Sequence, residues 1–156
     1  MRNMRPILLA EDDSVDAMTV KRAFSELKVT NELVRVVNGE EALEYLKTHP
    51  DKKPCVILLD LNMPRMNGVE FLKVAKADDE LRQIPVVVLT TSKDDCDKVE
   101  TFKLSVAGYI VKPVDYRKFV ETIKILNLYW TLSELPGSAP EKTTIEPQEA
   151  VCTENA

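Results

Sequence analysis

The sequence predicts an α/β protein built on an open, doubly wound parallel sheet. Three observations carry that prediction. Five short apolar runs rich in β-branched residues recur along the chain, each run is continuous rather than alternating, and longer stretches of helical periodicity lie between them. Continuous runs suit strands covered on both faces, and β-α-β-α repetition supplies the helices that cover them.

The elements follow in order. Ile7 to Ala10 form the first strand and run into Glu11-Asp12-Asp13. Ser14 is the expected N-cap of the first helix, with Val15, Met18, Ala23, Phe24 and Leu27 at mostly helical spacing. The second strand is expected over Leu33 to Val37 and the second helix over Glu40 to Thr48, closed by the His49-Pro50 breaker. Cys55 to Leu59 make the third strand, ended by Asp60 and the Met63-Pro64 turn. A third helix starts near Gly68, continues through Val69, Phe71, Leu72 and Ala75, and loosens at Asp78-Asp79. The fourth strand, Val86 to Leu89, ends at Thr90, and the fourth helix, the least regular, is expected over about Asp95 to Ser105. Gly108 to Val111 form the fifth strand, followed by Lys112-Pro113. The last helix carries Tyr116, Phe119, Val120 and Ile123 on one stripe, while Ile125, Leu128 and Leu132 fall partly outside it.

Composition narrows the function classes. The 156 residues, 44% hydrophobic and 30% charged, suit one folded domain, expected over 1–135. From Pro136 the chain has three prolines, no aromatic residue and four Glu against Lys142, so 136–156 is expected to be a disordered tail. A net charge of −5 without a Lys/Arg block argues against a nucleic-acid surface. No apolar run approaches the roughly 20 residues that cross a bilayer, and the N-terminus turns acidic too soon for a secretory signal, so a cytoplasmic protein with no membrane partner is expected. Cys55, Cys96 and Cys152 are odd in number and form no C-x-x-C, which suggests neither a disulfide framework nor a zinc site.

The acids raise the functional question. In a doubly wound sheet ligands bind beyond the carboxyl ends of the strands. Glu11-Asp12-Asp13 end the first strand and Asp60 ends the third, so if these strands are neighbours, several carboxylates crowd one crevice. Unpaired like charges raise one another's pKa and destabilise the fold, so something cationic must compensate. A hard divalent cation with oxygen ligands is one candidate; Lys112, ending the fifth strand, is the other. Thr90 adds a hydroxyl at the same level. Singly, each has a plain structural explanation as a helix-turn acid, a strand-end hydroxyl or a solvated lysine. Together, four strand ends deliver acid pair, acid, hydroxyl and ammonium to one edge.

With those residues in view, the chain resembles the receiver domain of two-component response regulators over about residues 5–130. The resemblance rests on Glu11-Asp12, Asp60 in DLNMPRMNG, Thr90, Tyr109 and Lys112-Pro113, with separations of 48, 30 and 22 along Asp12, Asp60, Thr90 and Lys112. It implies a flavodoxin-like (βα)5 fold with strand order 2-1-3-4-5. It further implies that Asp60 accepts a phosphoryl group from a histidine kinase, and that Mg²⁺ is held by Asp12, Asp60 and the backbone carbonyl of Asn62, with Glu11 acting through water. Lys112 and Thr90 would hold the phosphoryl oxygens, and Lys112-Pro113 would be cis. Thr90 and Tyr109 would form a switch that repacks the face made by the fourth helix, fifth strand and fifth helix. Such a receiver catalyses its own phosphotransfer and slow dephosphorylation without being an enzyme on other substrates. THPDKKP, ADDELRQIPVVVLTTS and the ending NLYWTLSELP are similar to single-domain regulators that partner phytochrome-type kinases.

Output is then expected by contact, since no DNA-binding or enzymatic effector segment follows the receiver. A partner protein, a phosphorelay intermediate or a self-associated state would serve. The apolar excess at Ile125, Leu128, Trp130 and Leu132 suggests a homodimer through the C-terminal helix, against the alternative that these residues fold back onto their own domain. Two rival readings fail on residues. A dehalogenase-type phosphatase needs an acid two residues after its nucleophile, where this chain has Asn62, and an FMN binder needs a phosphate cradle where this chain has Glu-Asp-Asp. A docking module that is never phosphorylated is a third, which no site position favours.

Overall fold

The computed structural model describes residues 5–90, 93–101, 103–111 and 116–132. The elements alternate along the chain: β1 (Ile7–Ala10), α1 (Ser14–Glu26), β2 (Leu33–Val36), α2 (Gly39–Thr48), β3 (Val56–Asp60), α3 (Gly68–Ala77), β4 (Val86–Thr90), α4 (Lys93–Thr101), β5 (Gly108–Val111) and α5 (Tyr116–Leu132). All pairings are parallel and the strand order is β2-β1-β3-β4-β5, as expected. The switch in strand order falls at β1, between β2 and β3.

Strand alternation divides the core between the two faces. Leu8, Ala10, Ile57, Leu59, Val86 and Val88 pack with Leu43 and Leu46 of α2, Phe71 and Leu72 of α3, and Val99 of α4. Ile7, Leu9, Val56, Leu58, Val87 and Leu89 pack with Ala17, Val20 and Phe24 of α1 and with Phe119 and Ile123 of α5. Each strand thus contributes to both clusters, which is why the runs read as continuously apolar. Cys55 lies buried just before β3, and burial pushes its thiol up to about 11, so it packs as an apolar group rather than reacting.

Several boundaries differ from the sequence expectation. The N-cap of α1 is Asp13, not Ser14: its carboxylate accepts from the backbone N–H groups of Val15 and Asp16 at 2.8 and 3.1 Å. The helix turns Ala17, Val20, Ala23 and Phe24 inward and leaves Val15 and Met18 71% and 67% exposed. β2 stops at Val36, one residue early; the Val37 N–H bonds the Glu41 carboxylate at 3.1 Å, and Asn38 begins α2 as its N-cap. α3 ends at Ala77, and the Asp78 carboxylate accepts from Glu80 and Leu81 N–H, nucleating a 3₁₀ turn over Leu81–Gln83 that periodicity did not reveal. α4 begins at Lys93 and ends at Thr101, earlier than expected at both ends. The stripe of α5 is as read, with Phe119 and Ile123 buried and Tyr116 and Val120 packed beside them. The tail at 136–156 lies outside the described residues.

Candidate functional site

The site is set by strand register. Ala10 pairs with Leu59, so the next residue of each strand brings Glu11 level with Asp60. Asp60 ends β3, is 5% exposed, and its Oδ1 accepts from the Asn62 N–H at 3.0 Å. Glu11 is fully buried, and its Oε2 accepts from the Asp13 N–H at 3.2 Å, while its own N–H extends the ladder to the Val36 carbonyl at 2.9 Å. Asp12, between the buried Glu11 and the capping Asp13, is exposed. The acid run therefore divides its labour. Asp13 serves the helix, and Glu11 and Asp12 serve the pocket.

Glu11, Asp12 and Asp60 each direct a carboxylate oxygen into one volume, and these oxygens lie within 4.8 Å of one another. Two of the three acids are buried, where like charges repel through a low dielectric and each has lost hydration. An oxygen-only donor set of this charge fits a hard divalent cation such as Mg²⁺ or Mn²⁺ better than zinc, which favours nitrogen and sulfur.

The hydroxyl side of the site is also ordered by register. Asp60 pairs with Leu89 and Thr90 pairs with Val111, so Thr90 ends β4 one step beyond the level of Asp60 and on the same sheet edge. Thr90 is fully buried. Tyr109 sits opposite Val88, shares its face of the sheet, and is 4% exposed within the cluster beneath α2, α3 and α4. Lys112 and the Lys112-Pro113 peptide lie outside the described residues, as do the side chains of Leu128, Trp130 and Leu132.

The loop after Asp60 is held by glycine. A Cβ at Gly68 would lie 2.6 Å from the Asp60 carbonyl oxygen and 2.7 Å from Leu61 Cα, and the Gly68 N–H bonds the Leu61 carbonyl at 3.1 Å. The start of α3 is thereby pressed against the end of β3. Asn67 caps α3 in a reciprocal box with Glu70.

Two features escaped sequence reasoning. The Gly39 N–H bonds the Met66 carbonyl at 2.8 Å, tying the start of α2 to the loop that leaves Asp60. Arg35, in β2, donates from Nε to the Glu11 carbonyl at 2.9 Å and from Nη2 to the Asp12 carbonyl at 3.1 Å. A charge inside the short apolar run LVRV signals an edge strand, but not where the side chain goes.

The family model of the response regulator receiver domain matches residues 7–124. Among curated relatives, the probable methanogenesis regulatory protein FilR2 of Methanothrix harundinacea is 38% identical over 137 residues, covering 85% of this chain and 88% of its own. Response regulator Rcp1 of Synechocystis is 31% identical over 128 residues, 80% of this chain and 87% of its own. A solved Mn²⁺-bound form of Rcp1 matches at a TM-score of 0.70 and 29% identity, over 88% of this chain and 99% of that one. The phosphorylated cyanobacterial phytochrome response regulator RcpA matches at a TM-score of 0.73 and 34% identity, over 89% of this chain and all of that one. With the fold, the strand-end acids and these likenesses in agreement, the chain belongs to the response regulator receiver domain family of two-component systems and is related to the phytochrome response regulators.

Proposed function

We propose that this receiver accepts a phosphoryl group on Asp60 from a sensor histidine kinase and signals by protein contact. The observation that carries the reading is the convergence of Glu11, Asp12 and Asp60 within 4.8 Å at the carboxyl edge of the sheet, with Asp60 presented at the very end of a rigid, fully buried strand. Asp12, Asp60 and the Asn62 backbone carbonyl would hold Mg²⁺ directly and Glu11 would act through water. When bound, the ion neutralises charge on the phosphoryl oxygens. The chain's own contribution is positional: an Asp60 carboxylate oxygen attacks phosphorus, the donor's P–N bond breaks as the new P–O bond forms, and the imidazole leaves. Thr90 and Lys112 would hold the remaining oxygens. The chain would thus promote its own phosphorylation and slow dephosphorylation, without acting as an enzyme on other substrates.

The buried Tyr109 ring and Thr90, facing one side of the sheet, support a switch in which Thr90 moves toward the new phosphoryl group and Tyr109 turns into the vacated space. The likeness to RcpA supports a phytochrome-type kinase as donor. Among the described residues no helix is long and apolar enough to cross a membrane, which accords with a cytoplasmic receiver.

Phosphotransfer from a purified phytochrome-type kinase tests the acceptor. Wild type is expected to be labelled in a Mg²⁺-dependent manner and Asp60→Asn to lose essentially all label; equal labelling of the two overturns the assignment. Ile125 on α5, 55% exposed, supports self-association through the C-terminal helix. Light scattering at micromolar concentration is expected to give a dimer mass that rises in population with phosphodonor, and a monomer mass in both states refutes it.

A further inference from the structure

We propose that Arg35 is a positioning residue that fixes the Glu11-Asp12 acid pair, an inference that rests on the metal-dependent reading above. Arg35 lies 24 residues from Glu11 in sequence, on the edge strand of the sheet opposite Leu9. Its guanidinium presents two donors in a fixed fork, and the two go to consecutive main-chain carbonyls: Nε to Glu11 at 2.9 Å and Nη2 to Asp12 at 3.1 Å. These are the first carbonyls beyond the end of the β1 ladder, where the sheet no longer dictates the direction of the chain.

The segment is held from both sides. On the helix side, Asp13 caps α1 and receives the N–H groups of Val15 and Asp16. On the sheet side, the Glu11 N–H bonds Val36. Arg35 holds the two peptide oxygens between those anchors, and so sets the rotation of the peptide planes from which the Glu11 and Asp12 side chains depart. Glu11 is held by complete burial, whereas Asp12 is exposed, so its aim depends more on the backbone from which it departs. Octahedral coordination at short range tolerates little misplacement, so the aim of Asp12 translates into cation affinity. Arg35 itself is exposed, which makes its replacement compatible with folding.

The test is Mn²⁺ binding to the full chain, read from the free-ion EPR signal, in wild type, Arg35→Ala, Arg35→Lys and Asp60→Asn, with thermal unfolding to verify each fold. Outer contacts of metal ligands change affinity by about tenfold when removed, and Arg35→Ala is expected to weaken Mn²⁺ binding by about that factor. Arg35→Lys keeps the charge but replaces two donor atoms with one, and is expected to recover little of the loss. In phosphorylation by a small-molecule donor, the half-saturating Mg²⁺ concentration is expected to rise in Arg35→Ala while the rate at saturating Mg²⁺ stays at the wild-type value. Wild-type Mn²⁺ affinity in Arg35→Ala, or full recovery in Arg35→Lys, overturns the fork's role while leaving the acceptor reading intact. Wild type that binds no Mn²⁺, or binds it as well after Asp60→Asn, refutes the parent reading and this inference together.

Discussion

Two helices of this protein begin with the same dipeptide, Asn-Gly, and use it for different ends. Asn38 caps α2 by accepting the Glu41 N–H at 2.8 Å, and Asn67 caps α3 by accepting the Glu70 N–H at 2.9 Å. In α3 the box is closed, because Glu70 accepts the N–H of Asn67 itself; in α2 the corresponding Glu41 reaches one residue further back, to Val37. The glycines differ more. Behind Gly68 lies immovable backbone, the Asp60 carbonyl and Leu61 Cα, whereas Gly39 faces the Met66 side chain at 2.7 Å as well as its carbonyl at 2.9 Å. One local motif thus serves as a wedge against the strand that ends at Asp60 in one place and as a latch on a loop in the other.

The difference predicts an order of effects. Gly68→Ala forces the end of β3 away from α3, and is expected to cost about 3 kcal/mol in urea unfolding and to impair phosphorylation in the same samples. Gly39→Ala is expected to cost less, about 1 kcal/mol, because the Met66 thioether chain can yield; adding Met66→Ala should recover part of that loss. Equal costs for the two glycines, or no recovery in the double variant, would erase the distinction. The caps come last. Asn67→Ala and Asn38→Ala are each expected to cost about 1 kcal/mol, with the closed box of α3 making Asn67 the larger. A larger loss at Asn38 contradicts that ranking.

How much of this could be read in advance depends on how local the cause is. The five strands were legible because burial on both faces leaves a continuous apolar trace, the stripe of α5 because its apolar residues recur at helical spacing, and Asp60 because a carboxylate at the end of a strand is conspicuous. The strand order was legible only through the resemblance to receiver domains. The exposed face of α1 was misread for a physical reason: Val15 and Met18 have helical spacing with each other, but at about 100° per residue they lie across the helix from Ala17, Val20 and Phe24, which face the sheet. Arg35 was missed because its partners are peptide oxygens, which every residue possesses and no sequence distinguishes. The 3₁₀ turn at Leu81–Gln83 was missed because it is made by one side chain, Asp78, bonding two backbone groups rather than by any repeat.

The pairing of β1 with β3 also sets what length changes the chain can absorb. Inserting or deleting one residue within Val56–Asp60 would shift every following side chain to the opposite surface, rotating Asp60 away from Glu11 and toward the helices on the far side. Growth and shrinkage are therefore confined to the connections, such as 49–54, where the count of residues is immaterial to which way an acid points. The protein measures its chemistry in steps of two along a strand.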